Sequence, residues 1–137
     1  MILHGNQRGG AKAMGVHLLN TQDNEHVSIH EVKGFMAPDL MGALRETEAL
    51  AKGTKCRQYL YSCSFNPPKG VDASIADFED AFDRAEEVLG LTGQPRVVVF
   101  HEKHGRRHAH VVWSRINTDQ MKAINLPHTK RKLMALG

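Results

Sequence analysis

The apolar run Val97-Val98-Val99-Phe100 leads straight into His101, and a few residues on His108-Ala109-His110 leads into Val111-Val112-Trp113. Two such stretches, split by the polar segment Glu102–Arg107, predict an antiparallel hairpin of Val97–His101 with His108–Ile116. A strand alternates its side chains, so His108 and His110 leave one face while Ala109 and Val111 leave the other. His101, at the end of the first strand, is placed to join them. Three imidazoles on a rigid sheet face make a metal site that leaves positions open for water or a phosphate oxygen. A single strand histidine is ordinarily structural, but three in this pattern, with arginines between them, point to ligands. All-imidazole donors suit Zn, Mn, Fe, Co or Ni and would not by themselves recruit Mg. His104 is either a fourth ligand reaching back from the loop or a solvated loop residue.

His101 with His108-Ala109-His110-Val111-Val112 and Arg115 resembles the third motif of the relaxases, the conjugative and mobilization nucleases of the HUH endonuclease superfamily (MobA/VirD-like relaxase domains). Ser114 stands where that family often has Asn. The resemblance covers residues 1–125 as a relaxase-like nuclease domain, with 126–137 as the basic start of a further helix in a truncated chain. It implies metal-dependent, site- and strand-specific nicking and joining of single-stranded DNA at a plasmid transfer origin, initiating conjugative mobilization through a covalent 5′-phosphate intermediate. It also implies a divalent ion (Mn, Mg or Zn) held by His101, His108 and His110, with His104 as a further candidate, and accessory mobilization proteins as partners.

Relaxases usually take a tyrosine nucleophile from the end of an early helix. That place here holds His17, in Val16-His17-Leu18-Leu19, and an imidazole can also attack phosphorus. The only tyrosines, Tyr59 and Tyr61, fall in a predicted strand and are read as sharing a face with Cys63 and Phe65, which is a core pattern. Glu102, and with it Glu25, is read as a catalytic base or as the carboxylate partner of a ligand imidazole. The rival readings are a rolling-circle replication initiator of the same superfamily, a histidine-triad-like nucleotide hydrolase, and a non-catalytic DNA-binding metal domain. Val112 occupies the place of the next alternating histidine, which counts against the hydrolase.

With 137 residues, 41% of them hydrophobic, the chain can bury one good core as one domain. A formal charge of +3 permits a polyanionic partner without requiring one. Arg8, Lys12, Lys55, Arg57, Arg106, Arg107 and Arg115 are the candidate DNA contacts. Cys56 and Cys63 do not make a disulfide framework, and no signal peptide or long apolar span is present, which reads as a cytoplasmic protein with no membrane partner.

Along the chain, Gly5–Gly10 reads as a flexible basic loop, residues 12–20 as a short helix and residues 27–35 as a strand. Pro38-Asp39 opens a helix through Lys52, Cys56–Phe65 is a strand stopped by Asn66-Pro67-Pro68, and Ser74 caps a helix that ends at Gly90. This order predicts an α+β domain with a central, mainly antiparallel β-sheet and flanking helices, the two histidine strands lying centrally.

Overall fold

The computed structural model describes residues 1–137. Its elements are β1 (Ile2–Arg8), α1 (Ala11–Leu18), β2 (His26–Lys33), α2 (Leu40–Ala51), β3 (Leu60–Asn66), α3 (Ile75–Leu89), β4 (Arg96–Lys103), β5 (Arg106–Ser114), β6 (Ile116–Asn117), β7 (Lys122–Ala123) and α4 (Thr129–Leu136). Five strands form one antiparallel sheet in the order β1-β3-β5-β4-β2, and β6 pairs with β7 in a separate ribbon. The expected α+β architecture is what forms, with β5 at the centre and β4 beside it.

Local chemistry explains why the elements begin and end where they do. Asp39 accepts from the Gly42 N–H to start α2, and Ser74 with Asp77 closes a reciprocal capping box on α3, which ends at left-handed Gly90. α1 has no capping side chain of its own; its first amide, on Ala11, donates instead to the Tyr59 hydroxyl at 2.9 Å. The β4–β5 turn is only His104-Gly105, both at positive φ, because Lys103 already pairs with Arg106. The strands therefore run on through residues expected to form a six-residue polar loop.

The sheet separates two buried layers. On one face α3 and α4 pack over Tyr61, Cys63, Phe65, Val98, Phe100, Ala109, Val111 and Trp113. Phe65, Phe78, Phe82 and Phe100 stack edge-on or tilted there. Buried Arg96 sits at its margin among Glu31, Asp83 and Glu86, and Glu86 also accepts from the Trp113 indole. On the other face α1 and α2 cover Leu60, Val97, Val99 and Val112. α4, which carries Lys130, Arg131 and Lys132, packs back on β1 and α3, and Leu126 and Leu133 join the aromatic layer.

Two readings of the sequence are corrected here. Gly5–Arg8, expected in a loop, belongs to the edge strand Ile2–Arg8: its side chains alternate exposed and half-buried, and Gly5 lies beneath Tyr61, where a Cβ would collide with the hydroxyl. Tyr59 and Tyr61 do not share a face. Tyr59 precedes β3 and packs with the α1/α2 layer, whereas Tyr61 points into the α3 layer.

Candidate functional site

Cross-strand register assembles the histidines. His101 lies directly opposite His108 on β4 and β5, and His110 is opposite Val99 one step further along the same face. Residues paired across antiparallel strands share a face, so all three imidazoles project toward the α1/α2 layer. The His101 and His110 ring centroids are 4.6 Å apart. From above, the last turn of α1 brings in His17, whose ring stands edge-on to His110 at 5.7 Å.

The cluster is electrostatically prepared for cation binding. Burial, then the neighbouring His101, His17 and His108, drive the His110 imidazole down to about 4, so it carries a free lone pair at neutral pH. His108 is also held below its ordinary value, by burial and then by Arg106 and His101. Its Nδ1 is buried with no partner in the protein. Nε2 of buried His101 lies 2.6 Å from the Leu18 carbonyl; a carbonyl only accepts, so that nitrogen donates and Nδ1 is the free one when the ring is neutral.

Three imidazoles that each keep a nitrogen unclaimed by the protein are the donor set a divalent transition ion takes, and in this respect the residues fit a metal. They are not closed into a ligand shell: no three His, Cys, Asp or Glu side chains converge on one ion position in this conformation.

The other sequence candidates separate from this cluster. His104 sits on the hairpin turn with an exposed ring, its backbone amide donating to Glu25, and takes no part in the trio. Glu102 follows His101 on β4 and so turns to the opposite face, where it lines a cleft of about 320 Å³ with Phe78 and Arg107; strand alternation removes it from the imidazoles. Tyr59 donates to Glu48 and accepts from Ala11 at the far end of α1, while Tyr61 is buried beneath the sheet, and burial pushes both hydroxyls up. Tyr61 lies on the opposite face, and Tyr59, although in the α1/α2 layer, sits at the start of α1 rather than at the end that meets the imidazoles.

The basic residues divide as well. Arg8, Lys12, Lys55 and Arg57 are exposed and gather where β1 passes into α1, with Gly9 set against the Arg57 carbonyl. Lys122, which the sequence did not single out, lines a shallow depression with Lys55 and Arg57. Arg106 donates to the Pro67 carbonyl, and Arg107 lies over the Phe100 ring at 5.5 Å. Arg115 is mostly buried and donates to the Gln58 and Ile124 carbonyls and to Gln7, which ties β5 to its neighbours, and it lines the same depression as Lys55, Arg57 and Lys122. Ser114 is buried and accepts from the Ile116 amide.

No helix is long and apolar enough to cross a membrane. Residues 14–136 match the family described as Relaxase: MobA/VirD2-like, nuclease domain. No curated protein and no solved structure matches the chain.

Proposed function

The chain belongs to the MobA/VirD2-like relaxases and carries their nuclease domain, a DNA endonuclease that nicks at a transfer origin, and we propose that its attacking group is His17, acting beside a divalent ion held by His101, His108 and His110. The observation that carries this reading is the placement of His17 against His110 at the end of α1, while Tyr59 is hydrogen-bonded to Glu48 near the start of that helix and Tyr61 is buried in the layer on the other side of the sheet. When bound, a divalent ion supplies polarisation of the scissile phosphate and neutralises charge growing on its oxygens.

The chain's own residues do the rest. The His17 imidazole attacks phosphorus on a single strand through a ring nitrogen's lone pair, and the P–O3′ bond breaks. The attacking ring gives up one proton and the departing oxygen takes one, leaving a free 3′-hydroxyl and a 5′-phosphate joined to nitrogen. The linkage conserves the phosphoester's energy, so attack by a 3′-hydroxyl rejoins the strand. Arg8, Lys12, Lys55, Arg57 and Arg106 line the outer path of the backbone, and their charges make affinity salt-dependent; Arg107, on the Glu102 face over Phe100, does not share that path. In the cell the reaction serves mobilization of a plasmid, with accessory mobilization proteins bringing the origin into single-stranded form.

The test is incubation of the protein with single-stranded origin DNA, labelled downstream of the nick, and Mn or Zn. A labelled protein band that the His17→Ala variant does not form supports the proposal. Free labelled product with no protein-linked band overturns the covalent route.

A further inference from the structure

The α1/α2 layer covers only part of the face that carries the histidines. Its buried side chains rest on β4, on β5 and on the first residue of β3, and none comes from β1. What β1 and β3 contribute to that face is His4, Asn6 and Arg8 beside Ser62, Ser64 and Asn66, with Ile2 at one end and Leu60 at the other. His4, Asn6 and Arg8 are exposed and the three β3 side chains are half-buried, so together they floor an open trough. An uncovered sheet face made of serine, asparagine, histidine and arginine is not a core awaiting a helix.

The trough is continuous with the histidine cluster. Register places His4, Ser64 and His110 in one row across three strands, and Asn6, Ser62 and Val112 in the next row but one. Arg8 closes the line about 13 Å from His4 at the rise of a strand, in the basic corner formed with Lys12, Lys55 and Arg57. No carboxylate stands anywhere along these rows. Ser64 and Asn66 are tied to the β1 backbone and to each other. Asn6 and Ser62, between the imidazoles and the arginine, have no such tie.

We infer that this trough seats the stretch of single-stranded DNA on one side of the scissile phosphate, with Asn6 and Ser62 hydrogen-bonding the strand between the histidine cluster and Arg8. The inference rests on the nuclease reading above and adds to it a path and named positioning residues. Neutral donors and acceptors suit sugar oxygens and base edges, while the charged corner at the end suits a phosphate. The two kinds of contact leave different signatures, because only the charged ones release counterions.

The experiment measures binding of a fluorescein-labelled oligothymidylate by anisotropy across a salt series, with thermal unfolding of every variant as a folding check. Asn6→Ala/Ser62→Ala should bind about tenfold more weakly, the loss of two neutral hydrogen bonds, with an unchanged salt slope. Arg8→Ala should instead flatten the slope by about 0.7. If wild type binds and the double variant binds equally well, the trough is overturned while the nuclease reading stands; if wild type binds no single strand at any salt, both fall. Should the double variant unfold, Asn6→Asp on the exposed edge strand sets a carboxylate in the path, and undiminished binding by it overturns the inference.

Discussion

The two faces of the sheet are built from the same strands and do opposite jobs. The α3 face receives Phe65, Phe100, Val111 and Trp113 and seals them beneath two helices. The α1/α2 face receives His101, His108, His110, Ser62 and Ser64 from those strands or their neighbours and leaves its β1–β3 side open. The histidine face holds the unpartnered His108 Nδ1, which costs folding energy until a ligand takes it. The period of two along a strand makes this division possible, since alternate residues answer to different demands.

The largest effect that bears on the comparison is truncation in the sealed layer. Trp113→Ala removes a fully buried ring and its indole bond to Glu86 and should lower unfolding free energy by about 3–5 kcal/mol. Ser62→Ala, across the sheet, should stay within about 0.5 kcal/mol. Urea melts of the two proteins make the measurement, and similar losses would erase the asymmetry.

A smaller effect follows from acid. The folded His110 value of about 4 lies below the ordinary 6.5, so the folded state resists a proton that the unfolded chain accepts. Its contribution to stability is complete above about 6.5 and is lost as pH falls toward 4, with His108 acting in the same direction. Metal-free protein should lose on the order of 2 kcal/mol over that window. His110→Gln should show a shallower fall, and parallel wild-type and variant curves would remove the histidine face as the cause.

Smaller again is the loss at the metal site. His101→Ala, His108→Ala and His110→Ala should each weaken Mn or Zn binding by at least about tenfold, roughly 1.4 kcal/mol, whereas His104→Ala, on the exposed turn, should leave it unchanged. Calorimetric titration separates these. Equal affinities across all four variants would contradict the assignment of the trio.

Much of this arrangement was legible in the sequence because it depends on periodicity. The apolar residues around His101, His108 and His110 fixed a hairpin, and alternation then put three imidazoles on one face. α3 announced itself through Ser74, Asp77 and Gly90, which satisfy its ends locally. β1 was not legible: Gly5 and Gly9 punctuate it like a loop, and its reason for being extended is the distant Tyr61 ring and β3 partner. The face of Glu102 hinged on how far β4 continues, and the tight His104-Gly105 turn that extends it depends on two positive φ values. Tyr59 escaped its expected face because it caps α1 from forty-eight residues away. Arg115 is basic in sequence and structural in space for a similar reason, since its carbonyl partners come from Gln58 and Ile124.

The central claim is that the open face ends in a histidine that attacks DNA, and the chemistry of the covalent adduct tests it most directly. A phosphorus–nitrogen bond to an imidazole is cleaved by mild acid, whereas a phosphotyrosine ester survives. The account predicts an adduct formed with single-stranded origin DNA and divalent ion that disappears on brief acid treatment and maps to the peptide containing His17. An adduct that persists in acid, or one that His17→Ala forms at the wild-type rate, would contradict it and return the attack to Tyr59, Tyr61 or a nucleophile outside these residues.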